Sequence, residues 1–164
     1  MSILVYILWL LLSVALQVLL FNHVSLFGGV VFVFVIALLK APVEISRVVQ
    51  VLMGFAVGFV VDVFCNTPGM HSLAAVTMML LRDPILHLFN DDPEFKNGVV
   101  SIGRIGLSPF IRYSLFIITL YAVLVYVIES FTLFNFAVLI VKIVISVALT
   151  FGVGIAMEFA ASKK

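Results

Sequence analysis

Charge is scarce in this chain and cysteine is nearly absent. Only 10% of its 164 residues are charged, while 65% are hydrophobic. Soluble domains average about 25% charged and about 45–50% apolar residues. A mean hydropathy of +1.36 therefore describes a polytopic membrane protein with little chain left for a soluble domain. Cys65 is the single cysteine. That excludes a disulfide framework and a multi-cysteine metal site within one chain. There is no basic tract for nucleic acid and no acidic tail, and the net charge of +1 selects no partner. The amino-terminal run MSILVYILWLLLSVALQVLLF lacks a positively charged leader and a small-residue cleavage site. It reads as a retained first helix.

What is present is a series of long apolar runs, read as a single transmembrane domain over residues 1–164. Six transmembrane helices are expected, at Ile3–Phe21, Leu26–Leu39, Ser46–Phe64, Met70–Leu81, Pro109–Ser130 and Asn135–Ala161. A perpendicular span needs roughly 20 residues, so the second and fourth are short: they are tilted, extended by flanking residues or partly re-entrant, and the fourth continues past Arg82 as far as the interface. Val24–Ala41 supplies about 18 residues, inside the usual range for a crossing. With both termini cytoplasmic, every lysine and arginine except Lys142 falls on the cytoplasmic side. The outer connections, Asn22–Ser25, Cys65–Gly69 and Phe131–Phe134, are very short. Asp83–Ser108 is the large inner connection, expected to hold an interfacial apolar segment and a solvated turn.

The stretch from Arg47 to Arg82 carries the most specific pattern. Gly54, Gly58 and Asp62 recur every fourth residue and share a helix face. Two glycines there admit a close neighbour helix. The turn Cys65-Asn66-Thr67-Pro68-Gly69 then reverses the chain, and His71 opens the next helix. A carboxylate in an apolar run is costly in lipid, so Asp62 should face protein or water. It is either a proton or cation site, or a structural acid that caps the turn or pairs with Lys142. The structural role is favoured, because only Glu129 and His71 could extend a proton relay.

Lys142 begins a stripe with Ser146, Thr150, Gly154 and Glu158 at steps of four. It sits about two turns inside the sixth span, roughly 10 Å below its outer end. Two readings compete: an ion pair with Asp62 or Glu129, with Asp62 preferred, or a lysine snorkelling to the interface. Under the paired reading, Lys142→Met is strongly destabilising and Asp62→Asn rescues part of the loss. Gly58→Leu is expected to be more disruptive than Val57→Leu. His23, His71 and His87 make a weak metal set, since His87 falls on the opposite side. No cofactor is expected. Nor is an enzyme, as no acid–base pair has an evident substrate cleft.

The pattern GFAVGFVVDVFCNTPGMHSLAA followed by LLRDPIL resembles the rod shape-determining protein MreD family. Its marks are a glycine-bearing third span ending in Asp, a short Pro/Gly turn and a Gly-x-His entry to the next span. Here those are Gly54, Gly58, Asp62, Pro68, Gly69 and His71. Chain length, six spans and short outer loops extend the likeness over nearly the whole chain. The resemblance implies a non-enzymatic scaffold of the bacterial inner membrane that binds MreC and supports peptidoglycan synthesis and cell-shape control. MreB, RodA and a class B penicillin-binding protein are implied as indirect partners. The implied fold is that of the substrate-binding component of energy-coupling-factor transporters. The alternative function is a small-solute, vitamin-type uptake component. That alternative requires convergent outer polar groups, with Asn22, His23, Asn66, Thr67, His71, Glu129 and Asn135 as the candidates. Gly54/Gly58 and Gly152/Ala156/Ala160 are the small-residue stripes suited to helix packing.

Overall fold

Two helices, α3 (Arg47–Cys65) and α4 (Met70–Phe89), make the most extensive pairing in the molecule. In this computed structural model, residues 3–21, 25–26, 28–90, 98–130 and 136–162 are described. His23, the acidic turn at 91–94 and the 131–135 connection lie outside them. Gly58 explains the tight α3–α4 approach. A Cβ placed on it would lie 2.6 Å from Ser72 Cα and 2.7 Å from His71 O, both backbone atoms. One at Gly54 would meet Met79 Cγ at 2.8 Å and Ala75 O at 3.0 Å. Both glycines are therefore spent on internal packing.

α4 continues past Arg82, as expected, and runs straight through Pro84 to Phe89. A proline in a helix removes one N–H and leaves the carbonyl four residues back unpaired. Here that carbonyl is Leu80 O, and Arg47 Nη2 donates to it at 2.9 Å. The apolar segment after Pro84, expected at the interface, is the last part of α4.

Four helices are long and apolar enough to cross a bilayer: α3, α4, α6 (Leu107–Glu129) and α7 (Phe136–Ser162). The shorter α1 (Ile3–Leu16) continues into a π-helical turn, Gln17–Phe21, so the first run is helical throughout as expected. A one-turn helix, α5 (Ile102–Ile105), precedes α6. The architecture is that of an all-α membrane protein, with one minimal β-ribbon.

The second segment departs from expectation. It is not an 18-residue helix. Two two-residue strands, β1 (Ser25–Leu26) and β2 (Gly29–Val30), pair antiparallel, and only Val33–Leu39 is helical (α2). Every α2 residue is buried. The segment runs beside α7 in the same direction. The Lys142 stem covers Gly28, Val30 bonds Ser146, Phe32 bonds Thr150, Ile36 packs on Gly154, and Lys40 pairs with Glu158. Two extended residues advance about as far as four helical ones, roughly 6 Å. Thirteen residues, 28 to 40, thus keep pace with seventeen of α7, a length of roughly 24 Å.

Ion pairs mark both ends of the helices, Lys40 with Glu158 and Arg82 with Asp83 at one, Lys142 with Glu129 at the other. Lys40, Arg47 and Arg82 gather at one end, here the basic end. Asp62, His71, Tyr126, Glu129 and Lys142 lie toward the far end. At the basic end the chain after α2 is tied to the approach to α5. Val43 N–H donates to Gly98 O at 3.1 Å, and Glu158 accepts from Ile102 N at 2.9 Å.

Candidate functional site

Non-helical backbone buried away from water must find hydrogen-bond partners inside the protein. Around the second segment, side chains from four helices supply them. Val30 N–H donates to Ser146 Oγ at 2.9 Å and lies 3.2 Å from Tyr126 Oη. Phe32 N–H donates to Thr150 Oγ1 at 3.0 Å, and Val33 N–H to Gln17 Oε1 at 2.8 Å. At the other end of α2, Tyr113 Oη–H donates to Leu39 O at 2.8 Å, and Tyr6 Oη–H to Ala37 O at 3.3 Å.

Arg82 completes this sleeve. It is fully buried. Its Nη2 donates to Ala41 O and its Nε lies 3.4 Å from Leu39 O. Its Nη1 reaches Gln50 Oε1 at 3.1 Å and Asp83 Oδ1 at 3.0 Å. An arginine from α4 therefore caps the carbonyl end of α2. The α7 stripe of Ser146, Thr150, Gly154 and Glu158 serves the same segment, either by hydrogen bond or by clearance.

Asp62 caps a neighbouring helix. Its Oδ1 accepts from Thr67 Oγ1 at 2.7 Å and His71 N at 2.9 Å. Its Oδ2 accepts from Ser72 N at 2.8 Å and Ser72 Oγ at 2.6 Å. His71 and Ser72 belong to the first turn of α4, whose N–H groups have no partner within the helix. A negative charge there is also favoured by the helix dipole. The turn itself needs Gly69, which holds φ at +79°. Pro68 is exposed beside it. The capping role expected for Asp62 is thus present.

The preferred Lys142 partner is corrected. Lys142 Nζ sits 3.3 Å from Glu129 Oε1, not on Asp62, whose oxygens already hold four donors. The pair is open to its surroundings, with side-chain exposures of 30% and 44%. Lys142 Nζ also stands 5.8 Å from the centre of the Tyr126 ring. It both pairs and snorkels.

His71 lies over the interior. Its Nδ1 is 2.7 Å from the hydroxyl of buried Tyr121, and the two rings stack. Phe32 and Phe34 set their edges against both rings. His71 and His87 are sixteen residues apart on α4, about 24 Å, and cannot share a ligand. Among the described residues no three His, Cys, Asp or Glu side chains gather as a metal site.

A cleft of about 420 Å³ opens at the far end. Gln17, Phe32, Cys65, His71, Tyr126 and Glu129 are among its lining residues, with the turn residues Asn66, Thr67 and Pro68. Of the outer polar candidates, Asn66, Thr67, His71 and Glu129 meet here. Asn22, His23 and Asn135 lie outside the described residues.

Sequence reasoning missed Gln17, Tyr121, Tyr126 and the role of Arg82. Gln17 did carry a signal, as the one amide in an otherwise apolar first helix. No protein-family model, curated protein or solved structure matches this chain.

Proposed function

We propose that the chain is a non-enzymatic scaffold subunit of the MreD type, seated in the bacterial inner membrane and binding MreC. The resemblance at Gly54–His71 suggests the family. The observation that carries the binding role is the surface of α7. It is the least buried of the four long helices. Gly152, Ala156 and Ala160 form an exposed row along it, and a Cβ on Gly152 would meet nothing within 4 Å. A row of small residues at this spacing lets a second transmembrane helix approach closely. The Gly54/Gly58 row is already filled by α4, so α7 is the face offered to the MreC helix.

In this reading the basic end is cytoplasmic, following the positive-inside bias. The 28–41 segment serves as the second crossing, giving six in all and both termini inside. A fold like the energy-coupling-factor substrate-binding component belongs to the same proposal, as do the indirect partners MreB, RodA and a class B penicillin-binding protein.

Co-purification from detergent with tagged MreC tests the role. The parent chain should retain MreC, and Gly152→Leu/Ala156→Leu should lose it at unchanged folded yield. Absence of retention by the parent refutes the scaffold reading. Unchanged retention in the double variant removes α7 as the contact. For topology, cysteines placed singly in a Cys65→Ser background serve as reporters. One at Thr132 should react with an external thiol probe, while those at Ser2 and Ser162 should not. The second reading, small-solute uptake, draws on the far-end cleft.

A further inference from the structure

We propose that the far-end cleft is a binding site for a small, neutral, flat solute that accepts two hydrogen bonds, such as an aromatic amide or a lactam heterocycle. The inference rests on the small-solute reading of this cleft and not on the scaffold reading, which concerns the outer face of α7.

The volume of about 420 Å³ falls within the roughly 300–1,000 Å³ typical of small-molecule pockets. Phe32 and Tyr126 give the cleft an aromatic lining. Two donors of the lining, on Gln17 and His71, remain without a partner among the described residues. Gln17 is only 3% exposed, and its Oε1 is pinned by Val33 N–H. That contact fixes the amide orientation and leaves the Nε2 group to donate. Gln17 lines the cleft, and its Nε2 has no hydrogen-bond partner among the described residues.

His71 provides the second donor. Tyr121 is fully buried and His71 Nδ1 is the sole hydrogen-bond partner of its hydroxyl among the described residues. A buried hydroxyl hydrogen needs an acceptor, so Tyr121 donates to Nδ1. The ring then carries its proton on Nε2. His71 lines the cleft, and its Nε2 has no hydrogen-bond partner among the described residues. The amide of Gln17, a residue 3% exposed, and an oriented imidazole, set beside aromatic rings, match a planar acceptor.

Charge narrows the class. Among the described residues of the lining Glu129 is the one carboxyl side chain, and Lys142 already pairs with it. A charged solute would find no free counter-ion above an apolar floor, which disfavours ions over neutral solutes.

Cys65, the single cysteine, lines the cleft and reports occupancy through its alkylation by N-ethylmaleimide. The purified chain in lipid nanodiscs is titrated with benzamide, benzoate and benzylamine. Benzamide should slow alkylation several-fold, and the two ions should not. Gln17→Glu keeps the acceptor for Val33 and removes the amide donor. His71→Phe/Tyr121→Phe removes the second donor without stranding the tyrosine hydroxyl. Each variant should lower benzamide affinity by about tenfold, as expected for one lost hydrogen bond. Native mass spectrometry of the parent identifies any retained molecule. Absence of protection by benzamide overturns the proposal, as does equal protection by either ion. Protection unchanged in both folded variants also overturns it, as does a retained phospholipid that benzamide fails to displace.

Discussion

Asp62→Asn isolates the physics of the α3–α4 turn. The carboxylate holds four donors, two on each oxygen. Asparagine keeps one oxygen and turns the other into an NH2 group. Whichever way the amide is set, it faces one hydroxyl and one backbone N–H. The hydroxyl of Thr67 or Ser72 can rotate and accept. The N–H of His71 or Ser72 cannot, and is left unpaired in a site where Asp62 is 5% exposed. An unpaired buried donor costs about 1–3 kcal/mol, and the surviving contacts weaken from charge-assisted to neutral. The expected loss is about 2–4 kcal/mol. Unfolding by SDS titration in mixed micelles, followed by circular dichroism, measures it. Adding Lys142→Met should rescue nothing, because the lysine's carboxylate is Glu129. A loss below about 1 kcal/mol, or partial rescue by Lys142→Met, would refute the capping account.

Lys142→Met alone should cost no more than about 1 kcal/mol in the same titration, the range of exposed ion pairs, in place of the strong destabilisation expected from a buried pair. Thr150→Val keeps the side-chain shape and strands Phe32 N–H, so about 1–3 kcal/mol should be lost. Ser146→Ala should be milder, because Val30 N–H retains Tyr126 Oη at 3.2 Å; equal losses for the two would contradict the sleeve. Gly58→Leu should abolish folded yield by size-exclusion chromatography. Val57 is itself buried, so Val63→Leu on the exposed face is the control that should remain near parental yield.

Sequence by itself determined the solvent, the long helices and one local device. Apolar runs of about 20 residues have few other stable forms, and their bounds at α3, α6 and α7 fall within two residues of expectation. The Gly54/Gly58/Asp62 face and its turn were legible because helical spacing and turn chemistry are local. The stripe from Lys142 to Glu158 was visible too, but its purpose was not. Tertiary structure decided that purpose, since Ser146 and Thr150 serve amides 116 and 118 residues away in the chain. It decided that Pro84 does not end α4, because the stranded carbonyl is met by Arg47 from another helix. It decided that residues 28–41 stay partly extended. An apolar run of that length normally becomes a helix, which satisfies its own backbone; here Gln17, Tyr126, Ser146 and Thr150 satisfy it instead. Lys142 chose Glu129 for a similar reason: Asp62 was already saturated by donors from the next helix, a fact that spacing along one chain does not encode.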